Sequence, residues 1–588
     1  MRQRQSSAEK LWLIACIALC VAGLTHNLSG YALFDPDEGR NAEVAREMVE
    51  SSDYVLPHLN GLPYLDKPIL YFATGAIAMK ILGPTVLAAR LPSLLFTFAT
   101  IALVGWFARR IYGRGAGITA AIATAATPFT LAYARIVIFD SALTFFVVLP
   151  LVSFYLAIEE RIGGGQAVRR SGGEDAADNT SAGEEGTGGG EGWSALAWVA
   201  IGFGVLTKGP IAVVLPLLVS FPFAIRYRAW RTVADPVGLL LFAAIVAPWV
   251  IAVSLRIPDF LHYALITETA GRFSTSELRR TGPFWYFLAI FPAATLPWSL
   301  MLAGSCRRCF EQRDSEGCLD RRIVFLLLWI ALPLLFFTLS QSKRPQYVLP
   351  LVPAVALLIS GIWHNRAATL PGARWGAVGL ITLGLFFICA SRVIPGLVPA
   401  NQEIAAAIPG TAVLLGAACL AGGILVWFAH RSLELVLLAC SIPVAAIPFS
   451  SHALMRAIGN DRSAEVVAAA ISAAAGSPVR IVGVGVYPPS LPFYLRHTII
   501  VSTADGGELT SNYIPRHIRE YRGFGFPLRH ADWWREALLS CSEPTVFVVA
   551  AENADAREAL SRLSLLVTTD KYAAYGPCGL ATLARTAP

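Results

Sequence analysis

The sequence has few charged residues. Asp, Glu, Lys and Arg make up 15% of the 588 residues, and hydrophobic residues make up 55%, whereas a soluble globular protein carries about 25% charged residues. The mean hydropathy of +0.57 agrees with this balance. This composition excludes an ordinary soluble enzyme and predicts a polytopic membrane protein. The net charge of +7 then indicates basic cytoplasmic loops rather than a nucleic-acid partner.

Several common motifs are also absent. The sequence contains no glycine-rich loop of the nucleotide- or dinucleotide-binding type, so we expect no nucleotide cofactor. Its ten cysteines are scattered and predict no disulfide framework. Cys306, Cys309 and Cys318 have no histidine nearby, which favours a reduced basic loop over a zinc site. Whether Cys541 and Cys578 pair in the polar C-terminal region stays open at this point.

The long apolar runs predict about thirteen membrane crossings, at about 20 apolar residues for each helix. The first run has no Ala-x-Ala cleavage motif, so we expect it to remain as an uncleaved helix. A shorter apolar segment at 69–82 is expected to lie at the membrane interface. The predicted crossings are 11–28, 91–108, 116–133, 141–158, 193–206, 211–225, 237–255, 284–302, 323–339, 347–363, 375–390, 412–429 and 433–449.

Basic residues set the orientation of these crossings. They flank the N-terminus and recur in alternate loops, which places the N-terminus in the cytoplasm. Residues 161–192 are rich in Gly, Glu and Ser and predict a disordered cytoplasmic loop. An odd number of crossings places 451–588 outside, where strands at 480–486, 498–502 and 545–550 alternate with helical segments. The predicted fold is an all-α polytopic membrane domain over 1–450, followed by an extracytoplasmic α/β domain.

Polar motifs collect in the loops that this topology places outside. Residues 35–40 read DPDEGR, residues 65–68 read Leu-Asp-Lys-Pro, and residues 342–350 read SKRPQYVLP. In this order the motifs resemble those of the GT-C type glycosyltransferases that use polyprenyl-phosphate sugars. The likeness is to the branch that holds the bacterial lipid A aminoarabinose transferase and the protein O-mannosyltransferases, and it spans about residues 11–350.

The resemblance implies an inverting glycosyltransferase of the bacterial inner membrane, with catalytic loop 31–68 and the active site on the periplasmic face. Its donor would be a monosaccharide on a polyprenyl phosphate, such as undecaprenyl or dolichyl phosphate. Its acceptor would be a lipid or a protein, and the sequence defines neither the acceptor nor the sugar.

The resemblance also implies roles for single residues. The family's acid falls on Asp37, which would act as the base toward the acceptor hydroxyl. The alternative is that Asp35 and Asp37 only cap the helix that follows. Arginine offers a planar fork to phosphate oxygens and lysine a movable point charge, although each of these cations alone is also typical of a helix end. The candidates for binding the lipid phosphate are Arg40, Lys67, Lys208, Arg272, Arg344 and Tyr347.

Asp140 lies at the end of a predicted crossing, where an unpaired charge is costly. We therefore expect it to pair with Arg135, Arg40 or a metal ion, and the resemblance favours a catalytic role. Some relatives hold a divalent ion, which here would bind to oxygens of Asp66, Asp140 or Glu268. No histidine stands at a matching ligand position, so a metal cofactor is left open.

Two other classes of protein share parts of this pattern. A transporter or flippase of lipid-linked sugars has many crossings, but it is expected to carry charges at mid-span and two related halves. Here the charged motifs cluster at one face and no internal repeat is visible. A scaffold that only presents the C-terminal domain would not need acids and bases in the external loops. The sequence therefore favours the enzyme.

Overall fold

The computed structural model describes residues 7–171, 188–270, 282–313, 317–364, 370–397, 401–474, 479–523 and 525–579. Most of this part of the chain is helical. The helices up to residue 262 are α1 Ser7–Thr25, α2 Asp37–Ser51, α3 Leu70–Leu82, α4 Val86–Tyr112, α5 Arg114–Ala125, α6 Pro128–Ala134, α7 Asp140–Ser171, α8 Gly188–Lys208, α9 Ile211–Arg226, α10 Trp230–Val233, α11 Pro236–Arg256 and α12 Phe260–His262.

A π-helix, Tyr263–Ala270, follows α12, and a 3-10 helix, Pro345–Leu351, precedes α17. The later helices are α13 Tyr286–Ala294, α14 Trp298–Gly304, α15 Cys306–Glu311, α16 Arg321–Leu339, α17 Val352–His364, α18 Ala373–Val393, α19 Gln402–Ala429, α20 Leu433–Ser450, α21 His452–Arg462, α22 Glu465–Ala474, α23 Ser490–Leu495, α24 Trp533–Ser540 and α25 Ala554–Leu560.

Nine helices in the described ranges are long and apolar enough to cross a membrane, and the number is eleven if each of two bent helix pairs is one span. Large apolar side chains on these helices are exposed, among them Leu240 at 71% and Phe428 at 79%. Contiguous exposed apolar surface is unusual in soluble proteins. The chain is therefore a multi-pass membrane protein, as predicted. The nine helices and two bent pairs give at most eleven crossings, and α8 and α9 are not among them. The predicted number of thirteen crossings is therefore not confirmed.

The two bent pairs are broken where proline interrupts the helix. Helices α5 and α6 meet at 64° and helices α13 and α14 at 99°. Pro128 is the first residue of α6, and Pro297 directly precedes α14. Proline has no N–H to continue the helical hydrogen bonds. The first break directs the chain through residues 135–139 into Asp140, where α7 begins.

The prediction of a disordered loop at 161–192 is contradicted at its two ends. Residues 161–171 belong to α7 and residues 188–192 to α8, so the predicted boundaries are wrong at both ends. Adding residues to an existing helix is easy compared with starting one, which explains why α7 continues beyond its apolar part. Residues 172–187 of this prediction lie outside the described residues.

The loop between α1 and α3 is a compact unit. Helix α2 is followed by a two-stranded hairpin, β1 His58–Leu59 and β2 Leu62–Pro63. The carboxylate of Glu47 accepts hydrogen bonds from the backbone N–H groups of Asn60 and Gly61 in the hairpin turn, at 2.5 and 2.8 Å. Buried polar groups are stable when they are hydrogen-bonded in this way. These contacts fix the hairpin against α2.

The C-terminal region is an α/β domain, as predicted. Its sheet has the order β5-β4-β3-β6-β8-β7. Strands β5, β4, β3 and β6 pair in parallel, and β8 and β7 join in antiparallel orientation. Cys541 and Cys578 form a disulfide with a Cα–Cα distance of 5.9 Å. The strands are β3 Arg480–Val484, β4 Ile500–Ser502, β5 Leu528–Arg529, β6 Thr545–Ala550, β7 Leu565–Thr568 and β8 Tyr572–Cys578.

One hydrophobic core joins this domain to the loop that contains α2. Met48, Leu59 and Phe72 belong to the same buried cluster as Ile481 and Val501 of the sheet. The α/β domain therefore packs directly on the segment that carries the first two sequence motifs.

Candidate functional site

The three sequence motifs meet at one polar cavity between the helix bundle and the C-terminal domain. A neighbouring apolar groove shares Lys67, Asp140, Lys208, Gln346 and Tyr347 with it, so the two spaces adjoin along these residues. Glu268 lines the groove, and Arg272 lies outside the described residues. The predicted site residues that line the polar cavity are Asp37, Arg40, Asp66, Lys67, Asp140, Lys208, Arg344 and Tyr347.

Asp37 lies at the centre of this arrangement. It is the first residue of α2, and its Oδ1 accepts a hydrogen bond from Nη2 of Arg40 at 2.5 Å. Nη1 of Arg344 lies 3.6 Å from Oδ2, and the Asp37 side chain is 44% exposed. Two guanidinium groups and the positive end of the helix dipole thus lie beside this carboxylate. Asp37 is an accessible carboxylate at the cavity.

The capping alternative is wrong for both aspartates. Pro36 stands at the N-cap position of α2, and no side chain makes a capping hydrogen bond there. Asp35 instead accepts hydrogen bonds from the backbone N–H and the hydroxyl of Ser490, at 2.9 and 2.6 Å. Burial raises the pKa of Asp35 to about 7, against the lowering effect of these bonds. Asp35 therefore links the start of α2 to α23 of the C-terminal domain.

A buried ion pair that sequence reasoning missed holds the chain just before α2. Nε and Nη2 of Arg90 each donate to one oxygen of Glu38, both at 2.9 Å. The same guanidinium donates to the carbonyls of Leu28, Tyr31 and Ala32. Arg90 is fully buried. The sequence contains one signal for this pair. Arg90 directly precedes the predicted crossing 91–108, and a charge at that position normally needs a partner.

Asp140 pairs with Lys208, and the expected pairing with Arg135 or Arg40 is wrong. Nζ of Lys208 donates to Oδ1 of Asp140 at 2.5 Å, and the Asp140 side chain is 3% exposed. Arg135 instead donates to backbone carbonyls of residues 23 and 24. Asp140 begins α7 and Lys208 ends α8, so each charge also has the sign that its helix end favours. The packing of α7 against α8 brings these two helix ends together. The spacing of Asp140 and Lys208 in the sequence does not indicate that they pair.

Asp66 and Glu268 converge on the hydroxyl of Tyr263, at 2.7 and 3.2 Å. Burial and these two acids raise the pKa of Tyr263. Nζ of Lys67 lies 3.7 Å from Oε2 of Glu268. Asp140 does not join this pair, and the described ranges contain no group of three His, Cys, Asp or Glu side chains placed to hold a metal ion. Of the three carboxylates proposed as ligands, the structure brings two together.

Tyr347 lies between the groove and the cavity. Its hydroxyl is 3.1 Å from the hydroxyl of Ser342, and Nζ of Lys208 lies 5.8 Å from the centre of its ring. Lys208, Tyr347 and Lys67 therefore form a patch of donors where the two spaces meet.

Two residues of the C-terminal domain complete the cavity. Thr510 and Asn512 line it together with the membrane-domain motifs. Nη1 of Arg40 donates to the carbonyl and the hydroxyl oxygen of Thr510, at 3.1 and 3.0 Å. Nothing in the sequence around Thr510 indicated this role, because the contact depends on the packing of the two domains.

Comparison with known proteins agrees with this geometry. A family model described as dolichyl-phosphate-mannose-protein mannosyltransferase matches residues 66–164. An undecaprenyl phosphate-alpha-4-amino-4-deoxy-L-arabinose arabinosyl transferase from Sodalis glossinidius is 32% identical over 425 residues, 71% of each chain. A relative of the same description from Pseudomonas aeruginosa is 30% identical over 373 residues, 62% of each chain.

The fold also matches a solved structure of ArnT from Cupriavidus metallidurans bound to undecaprenyl phosphate. The TM-score is 0.78 at 21% identity, and the match covers 96% of this chain and 98% of that chain. The fold and the cavity therefore define a membrane glycosyltransferase that uses a polyprenyl-phosphate-linked sugar. Within that class, the chain belongs to the family of the undecaprenyl phosphate-aminoarabinose arabinosyl transferases. The transporter interpretation finds no support among these relatives.

Proposed function

We propose that this protein transfers one sugar, with inversion, from undecaprenyl phosphate to a lipid or protein acceptor at the periplasmic face of the bacterial inner membrane. The observation that carries the proposal is the accessible carboxylate of Asp37 beside a cationic patch at the edge of an apolar groove. The first donor to test carries 4-amino-4-deoxy-L-arabinose, because the relatives at 30 to 32% identity are named for it.

The groove has the chemistry of a prenyl-chain site. Leu143, Ile211, Val214, Leu215 and Phe337 give it an apolar lining, and apolar contact is what a hydrocarbon chain requires. At the polar end of the groove, the donor phosphate would meet Lys67, Lys208 and Tyr347. Arg344 would approach from the side of the polar cavity. The sugar would then lie in the polar cavity next to Asp37.

In the proposed reaction, Asp37 takes the proton of the acceptor hydroxyl. The hydroxyl oxygen attacks the anomeric carbon of the sugar from the side opposite the phosphate. The new carbon–oxygen bond forms as the bond from that carbon to the phosphate oxygen breaks, and undecaprenyl phosphate leaves. Lysine and arginine stabilise the charge that develops on the phosphate. In this scheme Asp140 acts by holding Lys208 in place.

A divalent metal ion is a further proposal. Asp66 and Glu268 share the hydroxyl proton of Tyr263, and Lys67 lies 3.7 Å from Glu268. A divalent cation would compensate the second negative charge. These two carboxylates are the residues that would hold it, and the bound ion would supply positive charge beside the donor phosphate. Calorimetric titration of the purified protein with zinc tests this site without an activity assay. Binding that survives in Asp66→Asn would contradict it.

We also propose the thirteen-crossing topology. The nine long helices and two bent pairs give eleven spans, and α8 and α9 would supply two more. In a background that lacks the other free cysteines, a cysteine at Ser52 should react with an impermeant maleimide outside intact cells. The exposed Cys318 should react only after permeabilisation. If Cys318 reacts in intact cells and the cysteine at position 52 reacts only after permeabilisation, the cavity would face the cytoplasm and the proposed topology would be wrong.

Mass spectrometry of envelope lipids and proteins, with and without this chain, tests the function as a whole. We expect one class of molecule to lose the mass of a single sugar when the chain is absent. An unchanged envelope, together with no release of undecaprenyl phosphate in proteoliposomes, would contradict the proposed transfer.

A further inference from the structure

The C-terminal domain places a short segment, residues 510–512, over the polar cavity. On the membrane side of the site, this segment contacts α2 and the loop that carries Asp66. Thr510 accepts from Arg40 of α2. The hydroxyl of Ser511 and the backbone N–H of Asn512 donate to Asp66, at 3.1 and 2.9 Å. The segment is thus fixed in place by groups of the active site itself.

Thr510 is held in an unusual backbone conformation. Its φ and ψ are 55° and 29°, in the left-handed region that a β-branched residue rarely adopts. Such outliers persist when the surrounding contacts over-determine them, and they cluster at functional sites. The hydroxyl oxygen accepts from Arg40, but its hydrogen is donated to no partner among the described residues. Thr510 therefore offers one hydrogen-bond donor at the wall of the cavity.

Asn512 offers the complementary group. Its Nδ2 donates to Oε1 of Glu268 at 2.5 Å, so the amide oxygen, Oδ1, is the group left to accept a hydrogen bond. The Oδ1 atom accepts no hydrogen bond from the described part of the chain. Asn512 lines the cavity. A donor on Thr510 and an acceptor on Asn512 thus stand two residues apart on one segment.

We propose that Thr510 and Asn512 bind the hydroxyl or amino groups of the donor sugar, so that the C-terminal domain sets sugar specificity. This inference rests on the proposed function. With the phosphate where groove and cavity meet and the base at Asp37, the sugar must occupy the polar cavity that these two residues line. Sugar hydroxyls both donate and accept, and a site built to hydrogen-bond them discriminates strongly against substrates that lack them.

The test separates the sugar from the lipid phosphate by using two ligands. Affinities of the full-length protein in detergent are measured for undecaprenyl phosphate and for undecaprenyl phosphate-4-amino-4-deoxy-L-arabinose. Thr510→Val removes the hydroxyl and keeps the β-branched shape, whereas Thr510→Ser keeps the hydroxyl and is the matched control. Asn512→Ala is a second, independent variant in case Thr510→Val does not fold. Thermal unfolding confirms that each variant is folded.

We expect Thr510→Val and Asn512→Ala to bind the sugar-linked donor about 3- to 10-fold more weakly, the effect of losing one hydrogen bond. Their affinity for undecaprenyl phosphate should change less than about twofold, and Thr510→Ser should resemble the wild type. Equal weakening for both ligands, or no weakening for either, would overturn the inference while leaving the proposed function intact. If the wild-type protein fails to bind undecaprenyl phosphate, the proposed function itself is wrong and the inference falls with it.

Discussion

Replacing Arg90 by methionine should destabilise the protein more than any single change on its surface. Arg90 is fully buried, makes two 2.9 Å bonds to Glu38 and donates to three backbone carbonyls. Removing one partner of a buried pair costs about 3 to 5 kcal/mol, because the other charge stays buried and uncompensated. In a protein of this length we expect the Tm in detergent to fall by roughly 2 to 4 °C. Since Glu38 follows Asp37 in the chain, transfer activity should fall as well.

Arg110→Met is the matched control, because Arg110 is 56% exposed and its contact with Glu160 is 3.9 Å long. We expect its Tm to stay near the wild-type value, since exposed pairs contribute little. The double variant Glu38→Gln/Arg90→Met removes both charges and should recover part of the lost stability. If Arg90→Met melts like the control, or if the double variant is no more stable than Arg90→Met, the buried pair does not hold the start of α2.

Three further outcomes are expected. Burial raises the pKa of Asp35 from its ordinary 3.8 to about 7, so the folded state must bury a charged carboxylate as the pH rises. The free energy of unfolding should therefore fall by about 2 kcal/mol between pH 5 and 7. A wild-type Tm that does not fall over this range, or an equal fall in Asp35→Asn, would contradict this. Lys67→Ala should weaken undecaprenyl phosphate binding more than Lys208→Ala, because Nζ of Lys208 lies 2.5 Å from the carboxylate of Asp140, whereas Nζ of Lys67 lies 3.7 Å from that of Glu268. Equal or reversed losses would count against the phosphate assignment. Cys541→Ser should lower the free energy of unfolding by about 3 to 4 kcal/mol, since the disulfide closes 37 residues of chain. Alkylation of both Cys541 and Cys578 in the untreated protein would show that the bond is absent.

Much of the fold could be predicted from the sequence because the signals were local. Apolar length identifies membrane helices wherever a run approaches the bilayer thickness, and the strands Arg480–Val484 and Thr545–Ala550 carry the buried apolar pattern of a sheet. The boundaries of α7 and α8 were wrong because polar residues can extend a helix once it exists.

The residues that line the polar cavity were predicted where they share a motif, and they were missed where their position depends on packing. Asp37, Lys67 and Arg344 belong to sequence motifs and line one cavity. The partner of Asp140 was misassigned because Lys208 lies 68 residues away and reaches it only through the pairing of two helices. Thr510 was missed because its contact with the site joins the two domains across 470 residues of sequence.

The central claim is that Asp37 is the base, and Asp37→Asn tests it most directly. Sugar transfer is measured in proteoliposomes, with undecaprenyl phosphate binding measured on the same preparation. Glu50→Gln is the matched control, because Glu50 lies on the same helix and is 62% exposed. We expect Asp37→Asn to lose about 10²- to 10⁴-fold in transfer rate, the usual contribution of a general base, while it binds undecaprenyl phosphate within about twofold of the wild type. Transfer at the rate of the Glu50→Gln control would contradict the account.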